Sequence, residues 1–380
     1  MRFAIFIVTM LIADAFGFSH AFCQSKEPKV EVFAKSPDGE KGYEQGVSAA
    51  YAGILNGKLI LAGGCNFPDV PAAEGGKKRF YKGVYVADIE SGDISEWKTA
   101  GSLPQNSAYG VAVNYNNKII IAGGQNESSA LCSVYAISYC DRLGLVIDSL
   151  PSLPVAIDNM AGTVLEDVLY LAGGKVNGVP SGEIFTLNLS DYSNGWKRMT
   201  VFPGNPRIQP VMSAANGCLY IWGGFSPAIG NDKPSISNDG WRLHLQSGVW
   251  KNLPAPREKF RAAKSLTGAV ALTLNDDEIL CVGGVNASIF KNALKREQKY
   301  KGAEAVRRAK IYLSQPAGWY RFNQTAFVYN VKTGKWRVAV KNPLLARAGA
   351  AIVRHNDTII YINGEIKPGI RSSGISRFNF

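Results

Sequence analysis

The sequence repeats an apolar run that ends in two small residues. The copies are LILAGG (59–64), IIIAGG (119–124), LYLAGG (169–174), LYIWGG (219–224), ILCVGG (279–284) and IIYING (359–364). Their last glycines are 60, 50, 50, 60 and 80 residues apart. A strand-based repeat with a period of roughly 50 residues indicates that the chain stacks one supersecondary unit several times.

Each copy lies in a longer unit with the composition of four short strands. A Pro-containing turn and a small-residue strand precede each glycine pair, as in LPQNSAYGVAV (103–113). An alternating strand such as EIFTLNL (183–189) follows it, and Trp97, Trp196, Trp250 or Trp336 often opens the outer strand. This pattern is typical of kelch-type propeller blades. The sequence therefore predicts an all-β, six-bladed β-propeller.

The two chain ends predict how the ring closes. The sixth copy supplies only three strands before Phe380, whereas VEVFAKSP (30–37) resembles the outer strand of a blade. Adding that N-terminal strand to the last blade would remove an open sheet edge. We therefore expect residues 22–380 to form one domain closed by its N-terminal strand.

Residues 1–21 have the composition of a secretory signal peptide: one Arg, an apolar run and small residues near Ala21. We expect cleavage near Ala21 and an exported, periplasmic protein. The segment is too short to predict a membrane span.

The net charge of +12 favours anionic partners, and half of it lies between Lys291 and Lys310. That stretch belongs to an insertion at about 286–319. It is either a solvated helix or a lid that attracts an anion. Nucleic acid is disfavoured, because an exported propeller offers no helix that reads a groove.

The metal-binding residue types are scarce. The three His residues are His20, His244 and His355, and no pair among the six Cys has the C-x-x-C spacing. We interpret most Cys residues as small core residues, and we predict no metal and no cofactor. The kelch-class copper radical oxidases, which need His and Tyr ligands, are disfavoured on the same grounds.

The meander of a blade predicts where a site lies. Residues that follow a glycine pair share one rim with residues that precede the first strand of a blade. Four unusual segments fall on that rim: 65–83, 203–209, 285–319 and 365–371. Loops on a rigid scaffold often carry function, so we expect a covered pocket over the axis of the ring.

Three of these segments resemble the N-acetylneuraminate epimerase (sialic acid mutarotase) family in a cyclically permuted order. INGEIKPGIR (362–371) is similar to its INGE-x-KPG-x-R motif, GGVNASIF (283–290) to GGVN-x-x-IF, and FPGNPRIQ (202–209) to FPG-x-PR-x-Q. The pair Asn238-Asp239 also matches a family position. In the more familiar order the chain would begin two blades later, and a ring tolerates that change because its termini are adjacent.

The resemblance implies a cofactor-independent mutarotase that interconverts the α and β anomers of N-acetylneuraminate. It implies Glu365 as the proton acceptor and Arg371 as its catalytic partner. Four residues are candidates for substrate binding: Arg207, Gln209, Asn286 and Arg347. Arg347 is a candidate because Ser107 stands where the family has an Arg. The sequence leaves the oligomeric state open.

Structural alternatives exist for these residues. Glu365 and Arg371 could simply pair across a tight turn, Arg207 could stabilise a turn, and Phe67 and Phe290 could be lid core or a sugar platform. The alternative function is a non-catalytic kelch propeller that binds a glycan or a protein.

Overall fold

The computed structural model describes residues 28–89, 94, 96–230, 232–259 and 261–380. The expected export signal lies outside these residues. The predicted all-β class is confirmed, because antiparallel sheets make up most of the ordered structure. Within the described residues, no helix is both long and apolar enough to cross a membrane.

The described residues in the first half of the chain form 18 strands, many of them five to seven residues long. They are β1 (Glu31–Lys35), β2 (Tyr51–Leu55), β3 (Lys58–Ala62), β4 (Cys65–Asn66), β5 (Arg79–Phe80), β6 (Gly83–Asp88), β7 (Lys98–Ser102), β8 (Val111–Tyr115), β9 (Lys118–Ala122), β10 (Val134–Cys140), β11 (Gly144–Ser149), β12 (Ile157–Asp158), β13 (Ala161–Leu165), β14 (Val168–Ala172), β15 (Lys175–Val176), β16 (Val179–Pro180), β17 (Glu183–Asn188) and β18 (Lys197–Val201).

The second half adds further strands and both α-helices. The strands are β19 (Ile208–Ala215), β20 (Cys218–Ser226), β21 (Ser235–Ile236), β22 (Gly240–His244), β23 (Val249–Leu253), β24 (Ala269–Asn275), β25 (Glu278–Gly283), β26 (Thr325–Asn330), β27 (Lys335–Lys341), β28 (Ala351–His355), β29 (Thr358–Ile362), β30 (Glu365–Lys367), β31 (Ile370–Arg371) and β32 (Gly374–Asn379). The helices are α1 (Ala287–Lys299) and α2 (Gly302–Leu313), with short 3₁₀ turns at Tyr43–Gln45, Ala72–Glu74, Ala317–Tyr320 and Pro343–Leu345.

The described strands include six antiparallel four-strand meanders. The first five are β2-β3-β6-β7, β8-β9-β10-β11, β13-β14-β17-β18, β19-β20-β22-β23 and β24-β25-β26-β27. The sixth has the order β28-β29-β32-β1, so the N-terminal strand completes a sheet begun by the C-terminal ones. Glu31 lies opposite Arg377 in that pairing, and their side chains form an ion pair of 2.9 Å.

The hydrophobic core lies between successive sheets. Leu59 and Leu61 of β3 pack towards the sixth sheet, whereas Ile60 and Ala62 pack towards the second. The second strands of the next two sheets divide their side chains in the same way. Because strand residues alternate between faces, a strand buried on both faces must be apolar throughout. That requirement explains the uninterrupted apolar runs before each glycine pair.

The glycine pairs adopt a left-handed turn at the end of the second strand. The first residue of each pair has φ between 52° and 78°, and the second has φ between 83° and 102°. At five of these turns, the second amide donates to a backbone carbonyl that precedes the next sheet, as in Gly64 to Ser107 (2.8 Å) and Gly364 to Val47 (2.9 Å). The degenerate sixth copy uses Asn363 at φ 52°, since Asn tolerates this region better than most residues.

We predict that Gly124→Ala lowers the free energy of unfolding by about 3 kcal/mol. Gly124 has φ 102°, and an added Cβ would lie 2.6 Å from the carbonyl oxygen of Ala108. The left-handed backbone costs about 1–2 kcal/mol and overpacking about 1–3 kcal/mol. Denaturant unfolding would measure the change.

The matched control is Gly144→Ala. Gly144 also has positive φ (69°), but no atom lies within 4 Å of the added Cβ. We expect it to lose only about 1 kcal/mol. Equal losses in the two variants would show that the close contacts around Gly124 add nothing to the cost of its left-handed backbone.

Candidate active site

One rim of the molecule carries a cavity of about 540 Å³ roofed by the two α-helices. Its floor comes from rim positions of several sheets: Ser48, Tyr109, Gln209, Phe225, Val285, Ala348, Gly349, Glu365 and Pro368. Residues from the helices and the segment after them form the roof. The cavity volume falls in the range of roughly 300–1,000 Å³ that is usual for small-molecule sites.

Backbone pairing explains why distant segments meet at this floor. Glu365 follows a glycine pair, and Ala348 precedes the first strand of the same sheet. Their backbones exchange hydrogen bonds of 2.7 and 2.9 Å. Ser48 and Cys65 exchange the equivalent bonds in the first sheet, at 2.9 and 3.0 Å. The meander thus brings these segments to one rim, as the sequence predicted.

Glu365 and Arg371 face each other across the short hairpin β30-β31. Arg371 Nη1 lies 2.9 Å from Glu365 Oε1, and the same oxygen is 3.4 Å from the backbone amide of Gly369. Glu365 lines the cavity and its side chain is 27% exposed, whereas that of Arg371 is 2% exposed. The carboxylate is therefore the member of the pair that a bound molecule can reach.

Arg371 is held behind the floor. Its Nε donates to Ser48 Oγ (3.1 Å), and its guanidinium lies over the ring of Phe67 at 5.1 Å. Burial acts to lower the pKa of Arg371, but Glu365, Tyr109 and Cys65 together outweigh it and the pKa is raised. Nη1 is close enough to Glu365 for an ion pair, yet no described protein atom lies in hydrogen-bonding geometry with it. Arg371 therefore acts on the cavity through Glu365 and Ser48.

Two predicted substrate-binding residues, Gln209 and Asn286, line the cavity. Gln209 has φ 52°, and its side-chain amide donates to Asn159 Oδ1 at 2.9 Å. Asn286 is the N-cap of α1, where its Oδ1 accepts from the amide of Ile289 at 3.1 Å. Such a cap satisfies an orphan helix amide, so Asn286 positions the lid as well as facing the cavity.

The other two predicted binding residues, Arg207 and Arg347, do not line the cavity. Arg207 is 1% exposed and forms a two-pronged ion pair with Asp239 at 2.6 and 3.0 Å. Its remaining donors bind the carbonyls of Asn205 and Gly223. The arrangement favours the turn-stabilising alternative for Arg207, and it explains the match at Asp239 as a structural pair.

Arg347 points into the sixth sheet. It is 2% exposed, donates to the carbonyls of Asn363 and Gly374 and to Ser376 Oγ, and lies over the ring of Tyr361. Burial lowers the pKa of Arg347. Its position gives it no direct access to the cavity, so it does not take the place of an Arg at position 107. Ser107 itself is buried and shares a 2.6 Å hydrogen bond with Tyr51 Oη.

The basic insertion is both a lid and a solvated surface, because some of its cations line the cavity and the others are exposed. Arg296 and Arg308 line the cavity, lying over the rings of Tyr312 (4.7 Å) and Tyr300 (4.0 Å). The other six Lys and Arg residues between 291 and 310 are exposed. Arg308 also pairs with Glu304 at 2.5 Å, whereas no ion pair to Arg296 occurs within the described residues. Phe290 packs edge-on against Phe225 and also lines the cavity.

The lid is tied to the floor through Lys367. Its Nζ donates to the carbonyls of Leu313 (3.1 Å) and Gln315 (2.8 Å), at the C-terminal end of α2. A cation favours this end of a helix, because the last carbonyls lack intrahelical partners and the helix dipole is negative there. The chain just after Lys367 also contacts segment 65–83, since a Cβ on Gly369 would lie 2.6 Å from Ala72 Cβ.

The described residues contain no group of three or more His, Cys, Asp or Glu side chains that could hold a metal ion. Of the Cys residues described, Cys65, Cys218 and Cys281 are buried, Cys140 is half-buried and Cys132 is exposed. All five are free.

The model of the N-acetylneuraminate epimerase family matches residues 24–146 and 150–380. The chain belongs to this family. It is 32% identical over 232 residues to the N-acetylneuraminate epimerase of Yersinia pestis (strain Pestoides F), and the aligned region covers 60% of this chain and 57% of the relative. It is 34% identical over 252 residues to that of Haemophilus influenzae (strain 86-028NP), covering 64% and 62%. The chain thus spans about three fifths of the length of these relatives.

A solved structure of YjhT is similar in fold. The superposition has a TM-score of 0.54 at 26% sequence identity, and it covers 61% of this chain and 65% of that one.

Sequence reasoning did not identify Ser48, Arg296 or Lys367 as site residues, nor assign a role to Tyr109. Ser48 is an ordinary small residue in the sequence and becomes part of the site only through ring geometry. Arg296 is one of eight clustered cations in the sequence, and only the geometry of the helix distinguishes it from the exposed ones.

We predict that Asp239→Asn lowers stability at neutral pH by about 3 kcal/mol and weakens its pH dependence in acid. Burial acts to raise the pKa of Asp239, but the hydrogen bonds and charge of Arg207, together with the hydrogen bond from Trp241, outweigh it and hold the pKa below its usual value. A depressed folded pKa stabilises the protein above the unfolded pKa of about 3.9. That contribution is lost as pH falls through the folded pKa. The loss expected at neutral pH comes from removing one partner of a buried ion pair, which costs about 3–5 kcal/mol.

Unfolding midpoints measured between neutral pH and pH 2 would test this. The control is Asp69→Asn, which removes a surface ion pair with Arg79 and should cost less than about 1 kcal/mol. An Asp239→Asn variant as stable as the wild type at pH 7 would contradict the structural role.

We predict that Lys367→Met loosens α2. The substitution removes two charge-assisted bonds at the helix end. Together with the interaction with the helix dipole, these bonds contribute about 2 kcal/mol, so amide exchange there should become about 10- to 30-fold faster. Hydrogen–deuterium exchange of peptides covering Gly302–Leu313 would measure it. Lys332→Met, which removes an ion pair with Asp277, is the control. Unchanged exchange in α2 would show that Lys367 does not hold the lid.

Proposed function

We propose that the protein interconverts the α and β anomers of N-acetylneuraminate by acid–base ring opening and closure, with Glu365 as the base. The observation that carries the proposal is the placement of the Glu365 carboxylate. It lines the roofed cavity and is held by a buried Arg371 at 2.9 Å. Family membership and the named relatives support the same substrate.

The chemistry needs a base for the anomeric hydroxyl and an acid for the ring oxygen. Glu365 would remove the hydroxyl proton as the bond between C2 and the ring oxygen breaks, and it would return the proton when the ring recloses on the other face. Such proton transfer contributes about 10²–10⁴-fold to a rate. Arg371 would orient the carboxylate, since one guanidinium nitrogen faces it while another is fixed on Ser48.

The substrate carboxylate needs a cation, and Arg296 is our candidate. It lines the cavity and has no carboxylate partner among the described residues. A guanidinium can bind a carboxylate through two parallel hydrogen bonds. Ser48 and Gln209 offer hydrogen bonds to the sugar, whereas Phe225, Phe290 and Tyr312 offer apolar surface.

We also propose that the six sheets are the blades of one propeller, formed by residues 22–380 and closed by the N-terminal strand. The inner strands contact one another in the cycle β2, β8, β13, β19, β24, β28 and back to β2. A cyclic permutation relative to the relatives would account for a family match in two segments. An experimental structure with a different number of blades would contradict this. Residues 1–21 support export to the periplasm, which cell fractionation would test.

We predict that Glu365→Gln lowers the rate of anomer exchange to less than about 1% of the wild-type rate. Gln keeps the shape of the side chain but does not act as a base at neutral pH. Loss of the α-anomer signal of N-acetylneuraminate in a proton NMR time course, with micromolar protein, measures the rate.

Glu278→Gln is the matched control. Glu278 also pairs with an Arg across antiparallel strands, with Arg337 at 3.0 Å, but it lies outside the cavity. We expect its rate to equal that of the wild type. Binding of the sugar without acceleration by the wild-type protein would instead favour a non-catalytic binding module.

A further inference from the structure

Tyr109 occupies a constrained position on the cavity floor. It has φ 62°, its amide donates to the carbonyl of Ala49 (3.1 Å), and its carbonyl accepts from the amide of Asn159 (2.7 Å). The residues at the equivalent positions of neighbouring sheets, Ala49, Asn159 and Gln209, have φ of 55°, 56° and 52° and continue the same chain of backbone hydrogen bonds, so the repeat fixes this conformation. Both neighbouring contacts fix the backbone, so the ring is aimed into the cavity that Glu365 also lines.

The hydroxyl of Tyr109 accepts a hydrogen bond from Lys78. Lys78 Nζ lies 2.9 Å from Tyr109 Oη. An ammonium has three donors and no acceptor, so the phenol must be the acceptor in this bond. The phenolic hydrogen is then left to be donated elsewhere, and no acceptor for it occurs within the described residues.

Lys78 is held in place by aromatic rings and a short hairpin. Its ammonium lies 4.7 Å from the ring centroid of Tyr109, 5.9 Å from that of Phe80 and 6.0 Å from that of Phe67. Phe80 pairs with Cys65 in the two-stranded sheet β4-β5. The segment 65–83, which the sequence marked only as an irregular rim loop, thus delivers a cation to the floor.

Burial, modified by the surrounding charged groups, keeps the pKa of Tyr109 high enough for its hydroxyl to stay protonated at neutral pH. Burial is the largest influence and raises the pKa of Tyr109 to about 12. Cys65 and Glu365 also raise it, while Lys78 and Arg371 lower it. Burial acts to lower the pKa of Lys78, but Tyr109 and Cys65 outweigh it and the pKa is raised. The pair therefore presents a neutral phenol backed by an ammonium ion.

We propose that Tyr109 is the second acid–base residue of the site, the acid that serves the ring oxygen, with Lys78 as the positioning residue that stabilises its phenolate. This proposal rests on the proposed mutarotase function. As the bond between C2 and the ring oxygen breaks, its electron pair goes to that oxygen, which takes the Tyr109 proton, while Glu365 takes the proton of the anomeric hydroxyl. The product is the open-chain ketone with a free hydroxyl.

Reclosure reverses each transfer. The hydroxyl attacks the other face of the C2 carbonyl and returns its proton to the Tyr109 phenolate, and Glu365 protonates the new anomeric oxygen. No oxidant, reductant or co-reactant is needed, and the enzyme ends in its starting protonation state. The ammonium of Lys78 stabilises the phenolate only while the ring is open, which lowers the barrier rather than tightening substrate binding.

The test compares kcat and KM for anomer exchange in Tyr109→Phe, Lys78→Met and Lys78→Arg. Tyr109→Phe should lower kcat by about 10²-fold with KM changed less than about threefold. Lys78→Met should lower kcat by about tenfold at similar KM, and Lys78→Arg, which keeps a donor and a charge, should recover part of that loss.

Two control variants carry the same types of substitution at positions outside the cavity. Tyr115→Phe removes a hydroxyl that donates to Asp167 at 2.7 Å, and Lys77→Met removes the exposed lysine next to Lys78. Both should keep the wild-type rate. Denaturant midpoints check folding, and should Tyr109→Phe fail to fold, the kcat values of the two Lys78 variants decide.

Two outcomes overturn this proposal alone: a Tyr109→Phe rate within threefold of the wild type, or a Lys78→Met variant with raised KM and unchanged kcat. The second result would make Lys78 a substrate-binding residue. Absence of acceleration by the wild-type protein would overturn the mutarotase function and this proposal together.

Discussion

The left-handed turn that ends the second strand is the interaction on which the rest of the structure depends. Its second amide donates to a carbonyl of the next sheet at 2.8–2.9 Å in five instances. The turn therefore joins neighbouring sheets and places the following residue on the rim. Asn363 shows that the requirement is conformational: it adopts the same φ region, and its side chain adds bonds to Ser36 and Ser372 that a glycine could not make.

The same turn explains why two predicted binding residues lie in the interior. Arg207 and Arg347 each offer the backbone carbonyl that accepts from the turn of the preceding sheet, and each sends its guanidinium to a carbonyl 16 residues further on, at Gly223 or Asn363. The two residues are structurally equivalent. Arg207 has Asp239 to neutralise it, whereas Arg347 binds neutral oxygens and an aromatic ring. A guanidinium that is buried within a sheet and held there by several hydrogen bonds stabilises that sheet and does not reach the cavity.

The features that depend on periodicity and backbone pairing could be predicted from the sequence. The all-β class, the apolar second strands and the shared rim follow from side-chain alternation and the meander. Glu365 follows from its place after the last turn together with the family motif. Periodicity does not indicate in which direction a long side chain points, so this could not be predicted from the sequence. Arg207 and Gln209 are two residues apart, yet Gln209 reaches the cavity and Arg207 does not. Lys78 lies in a loop without periodicity, so nothing in its sequence context indicated that it meets Tyr109.

The hairpin β30-β31 links the chemistry to the lid. Glu365 and Arg371 pair across it, and Lys367 leaves the same strand to hold the end of α2. The register shifts between Glu365 and Lys367, and such bulges re-aim side chains near active sites. One irregularity thus lets neighbouring residues serve the floor and the roof. The two bonds from Lys367 to the carbonyls of Leu313 and Gln315 stabilise this arrangement of floor and roof by about 2 kcal/mol.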